Sequence, residues 1–334
     1  MARLLKDTPG EKDEVAKLLI EALGKHSNEK DEVRMSCVLA LGQIGDTDKD
    51  KIDVEIRKVL EVESTEGDQQ SRHFSMIAMG QVGGRPGAGE GNEEGIRDAR
   101  AFLLNSLTKG KTGIRPWAGL GVGVMERSLA EANMAPSGTA KQVLRDQLKD
   151  ANSPEQVGAF AIGTGIAQDV ESKDLLLAKL KETQEQNARG YIAVGLGLIG
   201  DTQAVKPIQD IVKESKYKPD LLKQAAIGLG LLGDKELVLD LVAMLKDAKG
   251  LATQAAIASA LGFIGDSRSI DPLVEMLRNK DITATARGFA AVALGIVADK
   301  EMFPWNSKIS TNINYRANTP TLTDGSGAGI LDIL

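Results

Sequence analysis

Aromatic residues make up only 3% of this 334-residue chain, which holds one cysteine and two histidines. Each scarcity excludes something. A single cysteine, Cys37, can form no intrachain disulfide; this fits a reducing compartment, and the cytoplasm is the expected location. The histidines, His26 and His73, are too far apart in sequence to suggest a metal pair, so no metal ligands are assigned. Cys37 lies on the apolar face of "RMSCVLALG", where a small buried side chain is expected in place of a nucleophile or a chromophore anchor. No run of 18 apolar residues is present, and no basic n-region leads into an apolar h-region, so neither membrane insertion nor a retained secretory signal is expected. Basic charge is not in excess either, with 41 Lys and Arg against 47 Asp and Glu and a formal net charge of -6. Nucleic-acid binding needs clustered cations for phosphates and aromatic rings for bases; no nucleic-acid partner is expected.

What the chain does hold is glycine, 36 residues of it. "GLGLIGD" at 195–201 spaces Gly195, Gly197 and Gly200 as a dinucleotide-binding fingerprint, yet that fingerprint works only where a strand turns into a helix. Here Ile192, Leu196 and Ile199 form one helical face and the Gly-Asp pair ends it, so no cofactor is expected. The motif also recurs. "GLGLLGD" stands at 228–234, and related stretches surround Gly42, Gly80, Gly121, Gly163, Gly262 and Gly295. From Gly163 through Gly197, Gly230 and Gly262 to Gly295 the intervals are 34, 33, 32 and 33 residues. A period of this length marks a stacked array of helical hairpins, helix A ending in the glycine motif and helix B following a short turn.

Alignment on the glycine gives each column a role. A large apolar residue precedes it in every copy: Leu41, Met79, Leu120, Ile162, Leu196, Leu229, Leu261 and Leu294. Alanine stands four residues before it in the later copies, allowing close helix approach. Asp46, Asp201, Asp234, Asp266 and Asp299 stand four residues after it, placed to cap helix B or its turn, and Arg34, Arg72, Arg189 and Arg287 stand eight before it.

This pattern resembles the HEAT-repeat family, in particular the subtype found in phycobilisome-lyase subunits; "ARGFAAVALGIVAD" and "ASALGFIGDSRSIDPLVEML" carry the likeness, which extends over about residues 12–300. The resemblance implies an all-α, right-handed α-α superhelix of about eight hairpins, with the arginine and aspartate columns hydrogen-bonded between adjacent units as a structural ladder. It also implies a non-catalytic scaffold or adaptor that binds another protein along a curved face lined by the B helices. Two other functions attach to the same resemblance. A lyase-like subunit acting in bilin attachment would need a tetrapyrrole pocket, and a HEAT-like DNA glycosylase would need a basic groove.

Departures from the period carry the individual features. Residues 1–30 form a partial repeat or cap, with "KDEVAKLLIEALGKH" looking like a helix B that lacks its helix A, as in a chain that begins inside a longer protein. Residues 31–300 form the solenoid. Within it "GGRPGAGEGNEEG", 83–95, is expected to be a flexible insertion. Trp117 takes the place of the alanine four before Gly121, and with Arg115 it forms the interior candidate for a partner contact, since Trp and Arg are enriched at binding hot spots. The tail, 301–334, abandons the helical period and holds Phe303, Trp305 and Tyr315, the remaining candidates for a partner contact. It is expected to cap the apolar end of the array; the alternative is that "GILDIL" docks in a partner groove.

Overall fold

A computed structural model describes residues 9–25 and 27–300 of the chain. The described residues form sixteen α-helices, in order α1 (Pro9–Leu23), α2 (Asp31–Ile44), α3 (Lys51–Glu66), α4 (Gln69–Gly83), α5 (Asn92–Lys109), α6 (Arg115–Glu131), α7 (Gly138–Asp150), α8 (Pro154–Ile166), α9 (Lys173–Glu182), α10 (Gln186–Ile199), α11 (Val205–Glu214), α12 (Pro219–Leu231), α13 (Val238–Asp247), α14 (Leu251–Ile264), α15 (Ile270–Arg278) and α16 (Ala284–Lys300). Single 3-10 turns, Val170–Ser172, Thr202–Ala204 and Ser267–Ser269, lead into α9, α11 and α15. The fold is an all-α solenoid of helical hairpins.

Local sequence starts and stops these helices. The Asp68, Ser137 and Ser153 side chains accept hydrogen bonds from the first free N–H groups of α4, α7 and α8, and Pro116, Pro154 and Pro219 open α6, α8 and α12, where a missing N–H costs nothing. Gly200 and Gly265 end α10 and α14 with φ of +82° and +67°, a left-handed turn that a Cβ would oppose.

Each odd-numbered helix packs on the even-numbered helix that follows it. Thus α1, within the expected partial repeat, packs on α2 and α3 and buries Ala16 and Leu23 there. The even helices also stack on one another through glycine. A Cβ on Gly123 would lie 2.5 Å from the Gly163 carbonyl oxygen, one on Gly165 2.7 Å from that of Gly195, and one on Gly197 2.7 Å from that of Gly228. The odd helices touch one another far less, with α1–α3 and α5–α7 the main contacts. A double layer with one side so closely spaced curves toward that side. The even helices therefore line the inside of the curve and the odd helices its outside, the reverse of a curved binding face lined by the B helices.

The contacts also correct the alignment of two units. In α6 and α8 the glycines that meet the following helix are Gly123 and Gly165; Gly121 and Gly163 face backward, toward the Met76 and Gly119 carbonyls. Re-registered by two residues, Arg115 stands eight before its glycine and joins the arginine column, and Asp169 stands four after and joins the aspartate column. Trp117 moves out of the alanine column into that of Phe74, Tyr191 and Phe289.

Two apolar clusters result. The main core lies between the layers and includes Ile56, Leu60, Leu103, Leu144, Leu176, Ile208 and Leu241 from odd helices. A second cluster holds Ile77, Leu120, Val124, Ile162 and Ile166, all from even helices, and so lies on the inner side of that layer. Among the described residues no helix is long and apolar enough to cross a membrane.

Candidate functional site

Among the described residues, the polar groups nearest to a reactive constellation lie at the N-terminal end. Oxygens of Asp46, Asp48 and Asp53 lie within 4.8 Å of one another, a spacing that could hold a metal ion. The Lys12 ammonium from α1 occupies the group, 2.8 Å from Asp46 and 2.9 Å from Asp53. Arg57 donates to the Asp46 and Asp48 carbonyls at 2.5 and 2.9 Å. The expected flexible insertion is tied to the same turn. Thr47 N–H donates to Arg85 O (3.1 Å), Lys49 N–H to Glu90 O (2.9 Å) and Gly89 N–H to the Asp48 carboxylate (2.9 Å), while Asn92 folds the loop on itself through Gly87. Arg85 completes the knot by donating to Gly42 O and Gly45 O at the end of α2. With this many hydrogen bonds, residues 85–92 form an ordered strap whose glycines admit the neighbouring turn.

Burial raises the Asp53 carboxyl from 3.8 to about 6, against the opposing hydrogen bond from Lys12. The folded chain then binds this proton more tightly than the unfolded chain, so the group's contribution to stability falls as pH rises from about 4 to about 6. Asp53→Asn lacks that ionisation. Its urea midpoint, measured against wild type, is expected to rise across this window and to level off above it; a constant difference would overturn the assignment.

The ladder between units is real but is built from other donors than those the family resemblance implies. In α5, Arg100 reaches Glu126 of α6 at 2.7 Å; in α7, Arg145 reaches Asp169 at 2.6 Å and Glu171 at 2.7 Å; in α11, Gln209 reaches Asp234 and Glu236, both at 3.1 Å. Lys12–Asp46 is the first rung of the series. Each donor comes from an odd helix and each acceptor from the next turn or helix end. A signal was present in the sequence, a long polar side chain 24–26 residues before the acid in the three later rungs.

The arginine column also bonds between units at Arg34 and Arg115, to backbone carbonyls of the preceding unit in place of the turn acids. Arg34 donates to Ala22 O (3.4 Å) and Leu23 O (3.0 Å) at the end of α1 and pairs with the buried Glu63. Arg115 donates to Gly110 O (2.9 Å) at the end of α5, and Gln254, in the same column, to Ala248 O (2.9 Å) at the end of α13. These side chains satisfy the open carbonyls of the preceding odd helix. Arg115 is thereby placed in the framework. Arg72 donates only to Asp68 O, and the Nε atoms of Arg189 and Arg287 are buried without a partner among the described residues. In the aspartate column, Asp46, Asp201, Asp234 and Asp266 each accept from the N–H two residues on, closing their turns. The side chain of Asp299, and His26, Phe303, Trp305 and Tyr315, lie outside the described residues.

Trp117 stacks on His73 with ring centroids 4.8 Å apart and meets Phe74 edge-on at 6.1 Å. Burial and the neighbouring Arg72 hold the His73 imidazole below its usual range, favouring the neutral ring that stacks. Burial pushes the Cys37 thiol up, the direction of an inert cysteine.

Trp117 also packs against a row of apolar residues on the even helices. In α4, α6 and α8 the inner face, Ile77, Leu120, Val124, Ile162 and Ile166, is closed over by its own neighbours. Toward the C-terminus the same columns come to the surface. Tyr191, Leu198 and Ile227 are half-buried, Leu231 is 46% exposed and Val292 61% exposed. This row of apolar side chains is the candidate binding face.

Comparison with known proteins bears on the repeat alone. A family model for HEAT repeats matches residues 214–295, from the end of α11 into α16. Comparison with curated proteins yields no match. Among solved structures, human deoxyhypusine hydroxylase in complex with glycerol is similar at 12% identity, with 87% of this chain and 98% of that one covered and a TM-score of 0.38. An engineered protein is similar at 19% identity, with coverage of 85% and 79% and a TM-score of 0.37.

Proposed function

We propose that the chain is a non-catalytic scaffold or adaptor that binds another protein along the inner face of its C-terminal half. The observation that carries this reading is the apolar stripe that surfaces at Leu198, Ile227, Leu231 and Val292. Apolar residues gathered on one face of a folded surface are a feature of interaction sites, whereas scattered ones are ordinary. A partner helix or extended segment with matching apolar side chains would bury the stripe. The distribution of acids supports a role without chemistry: the one cluster among the described residues, Asp46, Asp48 and Asp53, is paired with Lys12, and the turn aspartates recur along the array.

Leu231→Glu tests the reading, with Leu239→Glu as its control. Leu239 is 60% exposed on the odd helix α13, so both variants place a charge at an exposed leucine. Thermal stability is expected to move little in either, since exposed substitutions cost within about 0.5 kcal/mol. Capture of a partner from native lysate is expected to fall about tenfold or more for Leu231→Glu and to match wild type for Leu239→Glu. Equal capture by all three, or retention of a tetrapyrrole in place of a protein, would sink the proposal.

A further inference from the structure

The even helices share one design, and its last copy is open. At Gly42, Gly80, Gly123, Gly165, Gly197, Gly230 and Gly262, the missing side chain makes room for the next even helix; a Cβ on Gly230 would lie 2.5 Å from Phe263 O, and one on Gly262 3.1 Å from the Ala293 Cα. Gly295 occupies the same column in α16, with Gly288 one column set earlier on the same face. Neither has anything within 4 Å of a built Cβ, and Ala291 and Ala298 between and beyond them are exposed. Among the described residues, the forward face of α16 is therefore a copy, without a partner, of a helix interface that the array uses seven times.

We propose that this face is covered by the chain's own C-terminal segment, with the "GAGIL" stretch, 327–331, set against Gly295. Three observations select this occupant. The segment follows α16 directly in the chain, so it meets the face as an intramolecular ligand, at an effective concentration set by the length of the connection. Its 34 residues can span up to roughly 110 Å, several times the roughly 26 Å length of a 17-residue helix. Its glycines are also in step with the array. Gly329 lies 34 residues after Gly295, continuing intervals of 33, 32 and 33, and Gly327 then falls in the column of Gly195 and Gly228, the residues that meet the preceding helix through bare backbone. Ile330 and Leu331 follow, as apolar residues follow the glycine in "GLGLIGD" and "GLGLLGD".

The test is thiol protection in the full chain. With Cys37→Ala as background, Ala291→Cys places a thiol on the forward face of α16 and Leu239→Cys places a reference thiol on the outer layer. Reaction with a maleimide-polyethylene glycol reagent is expected to be about tenfold or more slower at position 291 than at 239, independent of protein concentration. Adding Gly327→Leu and Gly329→Leu, which block the close approach without shortening the chain, is expected to bring the two rates together. Similar rates before those substitutions show an open face and overturn the proposal. Protection that strengthens with protein concentration assigns the face to a second copy of the chain and overturns it as well, as does protection that survives both leucine substitutions. Circular dichroism of every variant checks that the array is folded.

Discussion

Gly121→Val is expected to destabilise the centre of the array by about 3 kcal/mol, the upper part of the range for forcing volume into a packed site. A side chain there meets the Met76 carbonyl on one side and Leu103 on another. The first of these is backbone of a neighbouring helix, which cannot rotate out of the way as a side chain can. Relief requires α4 and α6 to separate, and separation at this point also opens the apolar stripe around Leu120 and Trp117. Gly138→Ala is the control: that position has nothing within 4 Å, and its midpoint is expected to stay within about 0.5 kcal/mol of wild type or rise slightly with the better helix propensity. Because a solenoid's stability is a sum over units and their interfaces, the loss should appear as a split urea transition, with the regions on either side of α6 unfolding separately. A single transition at the wild-type midpoint would show that the helices do not approach as closely as the structure has them.

Arg100→Met is the second large effect, again with an expected loss of about 3 kcal/mol. Glu126 has no exposed side-chain surface, and Arg100 holds it through two hydrogen bonds, at 2.7 and 3.3 Å. Removing the guanidinium leaves a buried carboxylate with one remaining donor, the Ser137 N–H at 2.6 Å. Replacing both residues, Arg100→Met with Glu126→Leu, is expected to recover part of the loss, because no unpaired charge is then buried. Recovery should be incomplete, since the Ser137 N–H at the start of α7 loses its acceptor. A double-mutant cycle on urea midpoints gives the coupling; a value near zero would place this rung among surface pairs of little consequence.

Much of this design is written locally. The period, the glycine columns and the turn aspartates follow from which residue types recur at which interval, and each does its work within a turn or two of helix. Asp201 and Asp266 close their own turns whichever units stand beside them, and Gly200 and Gly265 end their helices by backbone geometry alone. Even the exclusion of the dinucleotide fingerprint needed only the neighbouring apolar residues.

Register in α6 and α8 was not legible in this way. α6 carries Gly119, Gly121 and Gly123, and α8 carries Gly158, Gly163 and Gly165, so more than one alignment satisfies the pattern equally well. Which glycine faces forward depends on the rotation of each helix against its neighbours. That rotation in turn decides that Arg115 closes the end of α5 and that Trp117 lies over His73. The ladder donors were hidden for a similar reason, since Arg100, Arg145 and Gln209 sit on helices that also carry other Lys and Arg. The strap at 85–92 looked unstructured because its partners are in another unit; Asp48 and Thr47 order it from about forty residues away.

The sequence by itself determined that this chain is a helical array with glycine-mediated stacking, because those properties arise from side-chain size and spacing within single helices. Tertiary structure alone decided which layer is inside the curve, which cations hold which acids, and where the apolar stripe reaches the surface. These depend on the angle and depth at which each helix meets the next, and that geometry is a sum of contacts between residues that the linear order keeps apart.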